Sequence, residues 1–153
     1  LEDMTTLQAM RQQLRTEAVG TRTALGVVGY FYQTRNLPPT LAAIRPRWAA
    51  ELEADPYNPD RRNNRRPPLE FFVPVRDTQG GQTHEMNVVA YDSNFSLRLQ
   101  EDQFVLYSVG PDRQKDWARF VSRDPRAVQG DYLIWPPLIS LLRMDLEQQG
   151  LLD

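Results

Sequence analysis

The chain has 153 residues, 41% hydrophobic and 10% aromatic, which is enough for one buried core and too few to argue for two. Its net charge of -2, with both signs spread along the chain, gives no global field that recommends nucleic acid or an anionic membrane as partner. The absence of cysteine excludes a disulfide framework, thiolate catalysis and a Cys-ligated zinc site.

In residues 4–32 the apolar side chains Leu7, Met10, Leu14, Ala18, Leu25, Val28 and Phe31 or Tyr32 recur at near-helical spacing, with Arg11, Gln12, Arg15 and Arg22 between them. One long amphipathic helix is expected, about 40 to 45 Å in length and longer than a small domain is wide, so its polar N-terminal end should project. Gly20, Gly26 and Gly29 each cost roughly 1 kcal/mol against Ala in a helix, and close approach to a sheet would account for them. The most apolar run, residues 24–32, is about nine residues long, well short of the ~20 that span a bilayer.

Pro38 and Pro39 end the helix, and Thr40 is placed to cap a short helix through Leu41 and Ile44. Residues 48–69 read as a polar surface excursion with turn signals at Asp55-Pro56 and Asn58-Pro59. Residues 69–75 read as a strand, with Pro74 arguing for a sheet edge, and residues 77–85 as a mobile loop. Residues 86–91, 95–99 and 103–109 read as three strands of an antiparallel meander, the last two joined by a tight turn at residues 100–102. Residues 117–129 are polar and carry no clear pattern, and residues 131–135 could form a last short strand. Pro136-Pro137 opens a final helix with Leu138, Leu141, Leu142 and Leu146 on one face and Gly150 as its stop. The expected class is α+β in a single domain: a helix over 1–35, a connecting region over 36–68, an antiparallel sheet over 69–135 and a C-terminal helix over 136–149.

Three segments resemble, in order, the type II secretion major pseudopilins and the wider type IV pilin-like family. Residues 30–41, ending Arg35-Asn36-Leu37-Pro38-Pro39-Thr40-Leu41, are similar to the end of the long pilin helix and its "RYPxSL" turn. Asp55-Pro56-Tyr57-Asn58-Pro59 is similar to "DPWGNPY", and Leu106-Tyr107-Ser108-Val109-Gly110-Pro111-Asp112 to "LYSLGADG". The resemblance covers roughly residues 20 to 135. It implies a pilin-like fold and a non-enzymatic subunit that assembles with copies of itself or other pilin-like subunits into a periplasmic fibre driving protein export. It further implies an apolar helix upstream of residue 1 that anchors the subunit in the inner membrane. The C-terminal helix departs from the usual family plan.

The resemblance implies calcium in the loop after the strand 103–109, with Asp112 and Asp116 as carboxylate ligands and Asp131 closing the site. Calcium takes six to eight oxygens, so the carbonyls of Leu106, Ser108 or Val109 and water would complete the shell. Against this, Arg113, Lys115, Arg119, Arg123 and Arg126 could pair with the same aspartates. The alternative function is DNA capture, with Arg61, Arg62, Arg65 and Arg66 tracking phosphates and Tyr57, Phe71 and Phe72 stacking on bases. The bland reading is a solvated loop. Single His84 reads as a surface histidine, and no convergent acid, base and nucleophile set suggests an enzyme.

Overall fold

A computed structural model describes residues 2–58, 65–90, 93–100, 103–123 and 129–152. The chain opens with helix α1, Glu2–Thr34. At 1.5 Å per residue it is about 50 Å long, and among the described residues none before Thr16 is buried. Thr16, Val19, Gly20, Thr23, Ala24 and Val27 form its packed face, recurring every three or four residues. At Gly20 an added Cβ would lie 2.5 Å from Cγ2 of Ile134, so a bare backbone is what lets the helix rest on the sheet. Gly26 and Gly29 face Ile44 and Trp48 instead, which places their close approach against the following segment and not the sheet. Leu41–Ile44 forms a single 3-10 turn whose expected Thr40 cap makes no side-chain hydrogen bond.

Six strands follow: β1 (Glu70–Phe72), β2 (His84–Ala90), β3 (Ser93–Leu99), β4 (Val105–Ser108), β5 (Phe120–Ser122) and β6 (Asp131–Trp135). They form one sheet in the order β1-β4-β6-β5-β2-β3, with β1 at an edge as Pro74 suggested. The expected antiparallel meander holds for β2 and β3 alone, because β5 pairs in parallel with both β2 and β6 and makes the sheet mixed. Nor do residues 100–102 join paired strands: β3 is an outer edge and β4 lies four places away beside β1. Three-residue β5 supplies the connection that the sequence concealed, since so short a run has no readable period. The loop expected over 77–85 also gives way early, β2 beginning at His84.

Alternation decides the two faces. His84, Met86, Val88 and Ala90 point inward on β2, with Leu97, Leu99, Val105, Tyr107, Val121 and Leu133 beside them. Helix α2, Leu138–Gln148, covers this face with Leu141 fully buried and Leu138 and Met144 packed around it. Gln148 also clasps the edge strand: its Nε2 donates to Arg98 O at 2.8 Å, and Arg98 N donates to its Oε1 at 3.2 Å. That pairing occupies backbone groups an edge strand would otherwise offer to another chain.

The opposite face is covered by α1 only over β4 and β6, where Leu106, Tyr132 and Ile134 meet Val19, Ala24 and Val27. A polar cluster fixes this contact: Tyr132 Oη donates to Glu17 Oε1 at 2.6 Å, Arg123 also donates to Glu17, and Gln13 Nε2 donates to Tyr132 Oη at 2.8 Å. Over β2, β5 and β3 the same face is left open, and Val89 and Phe120 are 40% and 59% exposed. The class is α+β, with a helix layer on each side of the sheet.

Candidate functional site: an acidic loop beside an open sheet face

The end of β4 is organised by a carboxylate that the sequence reading left in a surface excursion. Asp55 is fully buried and accepts from Ser108 Oγ at 2.7 Å, Val109 N at 3.0 Å and Tyr57 N at 2.9 Å. Burial pushes its carboxyl above the usual range, against the pull of those three donors. The Asp-Pro-Tyr-Asn-Pro run was the available signal, because an Asx turn inside a proline-bracketed loop is a local lock. Ser108 and Leu106 lie buried within β4, and the Ser108 hydroxyl is committed to Asp55.

Past Gly110 the chain turns back over the sheet edge through residues in unusual conformations. Arg113, Trp117 and Ala118 have φ of 59°, 55° and 53°, each costing on the order of 1 kcal/mol for a residue other than glycine. Asp131, buried at the start of β6, holds this loop: Ala118 N donates to its Oδ2 at 2.8 Å and Asp116 N at 3.2 Å. Burial pushes the Asp131 carboxyl up to about 7, with Asp116 and Asp112 adding like charge. Asp112 works as a clasp, accepting from Gln114 N at 2.9 Å and from Gly130 N at 3.0 Å. Asp116 donates its own N–H to Asp131, while burial and the Asp112 charge push its carboxyl upward.

The structure therefore brings Asp112, Asp116 and Asp131 to one loop. Among the described residues, no three metal-ligating side chains converge as a cation would need. Lys115, next to Asp116 in sequence, turns away to Glu70 at 3.0 Å and sits 3.7 Å over the Trp117 ring. Asp112 and Asp116 have no cationic partner among the described residues, and Arg126 lies outside them. They rim a groove of about 520 Å³ floored by the exposed Val89 and Phe120 and closed by Gln114 and Gly130.

Other expectations resolve differently. His84 is not a surface histidine; it is buried, packs edge-to-face against Phe72, and its Nε2 lies 3.2 Å from Ala118 O. Burial lowers its pKa. Arg61 and Arg62 lie outside the described residues. Arg65 is exposed, whereas the Arg66 guanidinium donates to the carbonyls of Asp55, Pro56 and Asn58 at 3.1 to 3.2 Å and serves as a loop staple. Phe72 is in the core, Phe71 packs on Phe104, and Tyr57 packs on Tyr132, so the rings proposed for base stacking are occupied.

A second surface lies on α1. Met4, Leu7, Met10, Leu14, Leu25 and Tyr32 are 46% to 69% exposed and, with Ala18, follow one side of the helix opposite Thr16, Val19, Thr23 and Val27. Arg11 and Arg15 flank this seam and have no acidic partner among the described residues. Comparison of the chain with known protein families, with characterised proteins and with solved structures finds no match.

Proposed function

We propose that the chain is a structural subunit of a pseudopilus- or pilus-like fibre of the cell envelope, of the kind that drives protein export in type II secretion. The subunit performs no chemistry; its work is to pack with copies of itself or with related subunits. One observation carries this reading: α1 has two apolar faces, one buried in its own domain and the other exposed along the whole helix. Six large apolar side chains on that face, Met4, Leu7, Met10, Leu14, Leu25 and Tyr32, are 46% to 69% exposed, a row of the kind that marks a protein contact. A long helix laid over a sheet, and the three segments that resemble the family's motifs, support the same reading.

In this reading the subunit sits on the periplasmic side of the inner membrane, held by an apolar segment encoded upstream of residue 1. No helix of the described residues is long and apolar enough to cross a membrane. Calcium belongs to the same proposal, with the Asp112 and Asp116 carboxylates as its hard oxygen ligands.

The test is self-association of the chain, followed by sedimentation at up to about millimolar concentration. The unaltered chain should associate, and Leu7→Glu with Leu14→Glu should return it to monomer without changing its melting midpoint. Association that is absent, or that survives both substitutions, would overturn the proposal.

A further inference from the structure

The groove and the seam carry opposite deficits. At the groove, two carboxylates without a cationic partner among the described residues stand over two exposed apolar side chains, Val89 and Phe120. At the seam, two guanidinium groups without anions, Arg11 and Arg15, stand beside exposed Leu7, Met10 and Leu14. Apolar surface meets apolar surface and each unpaired charge meets its opposite only when the seam of one molecule enters the groove of another.

We propose that the groove bounded by Asp112, Asp116, Val89 and Phe120 is the docking site for residues 7–15 of α1 of a second copy. This deepens the assembly reading above and rests on it; on these two carboxylates calcium and the guanidinium groups of a second copy are alternatives. Three features favour this occupant. Residues 7–15 span only about 12 Å of helix, a length that a groove beside one short strand can hold. Leu7, Met10, Arg11, Leu14 and Arg15 are exposed in their own molecule, so this face of α1 can meet another copy while Gln12 and Gln13 stay bonded to Pro56 and Tyr132 on the other face. On the sheet, Val89 and Phe120 are open because α1 of the same chain stops covering the face at β6.

The contact is heterologous, since the surface that docks differs from the surface that receives. Unless the rotation between copies closes a ring, such a contact repeats into an open filament. A seam-to-seam contact between two α1 helices would instead give a closed pair. The geometry thus ties a growing fibre to the acidic loop.

The chain has no cysteine, so introduced thiols report the contact directly. Copies bearing Leu14→Cys are mixed with copies bearing Phe120→Cys under mild oxidation, with a chelator present to keep the carboxylates free of metal. The mixed disulfide should exceed either homodimer. Adding Asp112→Arg and Asp116→Arg to the Phe120→Cys copy should lower its yield about tenfold, through like charges brought together. Adding Arg11→Glu and Arg15→Glu to the other copy should restore it. Dominant Leu14→Cys homodimers would overturn the groove assignment while leaving assembly through α1 intact. No cross-link above that of the unfolded mixture would overturn both.

Discussion

At the scale of single residues, two buried aspartates define the loop, and they respond differently to substitution. Asp131 has a folded pKa of about 7, well above the ~3.9 of an unfolded chain, so the native state holds its proton longer. The stability this contributes is fully present below the unfolded value and is lost as pH rises toward 7. Asp131→Asn is neutral throughout; thermal melts should favour the native aspartate near about pH 4 and move toward the variant by about pH 8, by up to a few kcal/mol. Parallel pH profiles would refute this. Asp55 has three donors to satisfy, so Asp55→Ala strands the Ser108 hydroxyl and two backbone N–H groups in the interior. A loss of about 2 to 4 kcal/mol in chemical denaturation is expected, with Asp55→Asn recovering part of it. Neither aspartate was legible as buried, because solvation depends on what the rest of the chain lays over a loop. The acid pair Asp112 and Asp116 was legible, yet the turning away of Lys115 to Glu70 and Trp117 was not.

At the scale of elements, α1 separates its two roles by face. Gly20→Leu should cost about 1 to 3 kcal/mol of stability, since its side chain would collide with Ile134 on β6. Leu14→Glu, 68% exposed, should leave stability within about 0.5 kcal/mol while removing self-association. A chain in which Leu14→Glu unfolds the domain would show that the seam is core after all. The helix was legible throughout, from 3.6-residue periodicity over 4–32 with a proline stop, and it runs Glu2–Thr34 within the expected 1–35. The glycines announced close approach without naming the partner. Strands β2, β3, β4 and β6 were also legible from β-branched and aromatic runs, and so was the antiparallel β2–β3 pair, though not the pairing of β4 and β6. β5 escaped because Phe120, Val121 and Ser122 gain their strand geometry from β2 and β6 on either side.

At the scale of the whole molecule, the sheet is held between α1 and α2, and the loop that carries Asp112 and Asp116 reaches from one edge of β4 to β5 and β6. A cation bound there would tie distant parts of the chain together and raise the melting midpoint of the entire domain. With calcium in large excess over its dissociation constant the midpoint should rise by several degrees, and it should fall back with chelator and in Asp112→Asn. An unchanged midpoint would remove calcium from the proposal without touching the assembly surfaces. The amino-acid order determined the elements themselves, because helix and strand periods, proline stops and turn residues act over a few neighbours. It determined equally that the chain lacks thiol chemistry and a charge field. The tertiary structure alone decided the mixed strand order, the face that each helix covers, and which charges find partners. Those outcomes depend on contacts between residues far apart in the chain, where a three-residue strand or a single buried carboxylate outweighs any local preference.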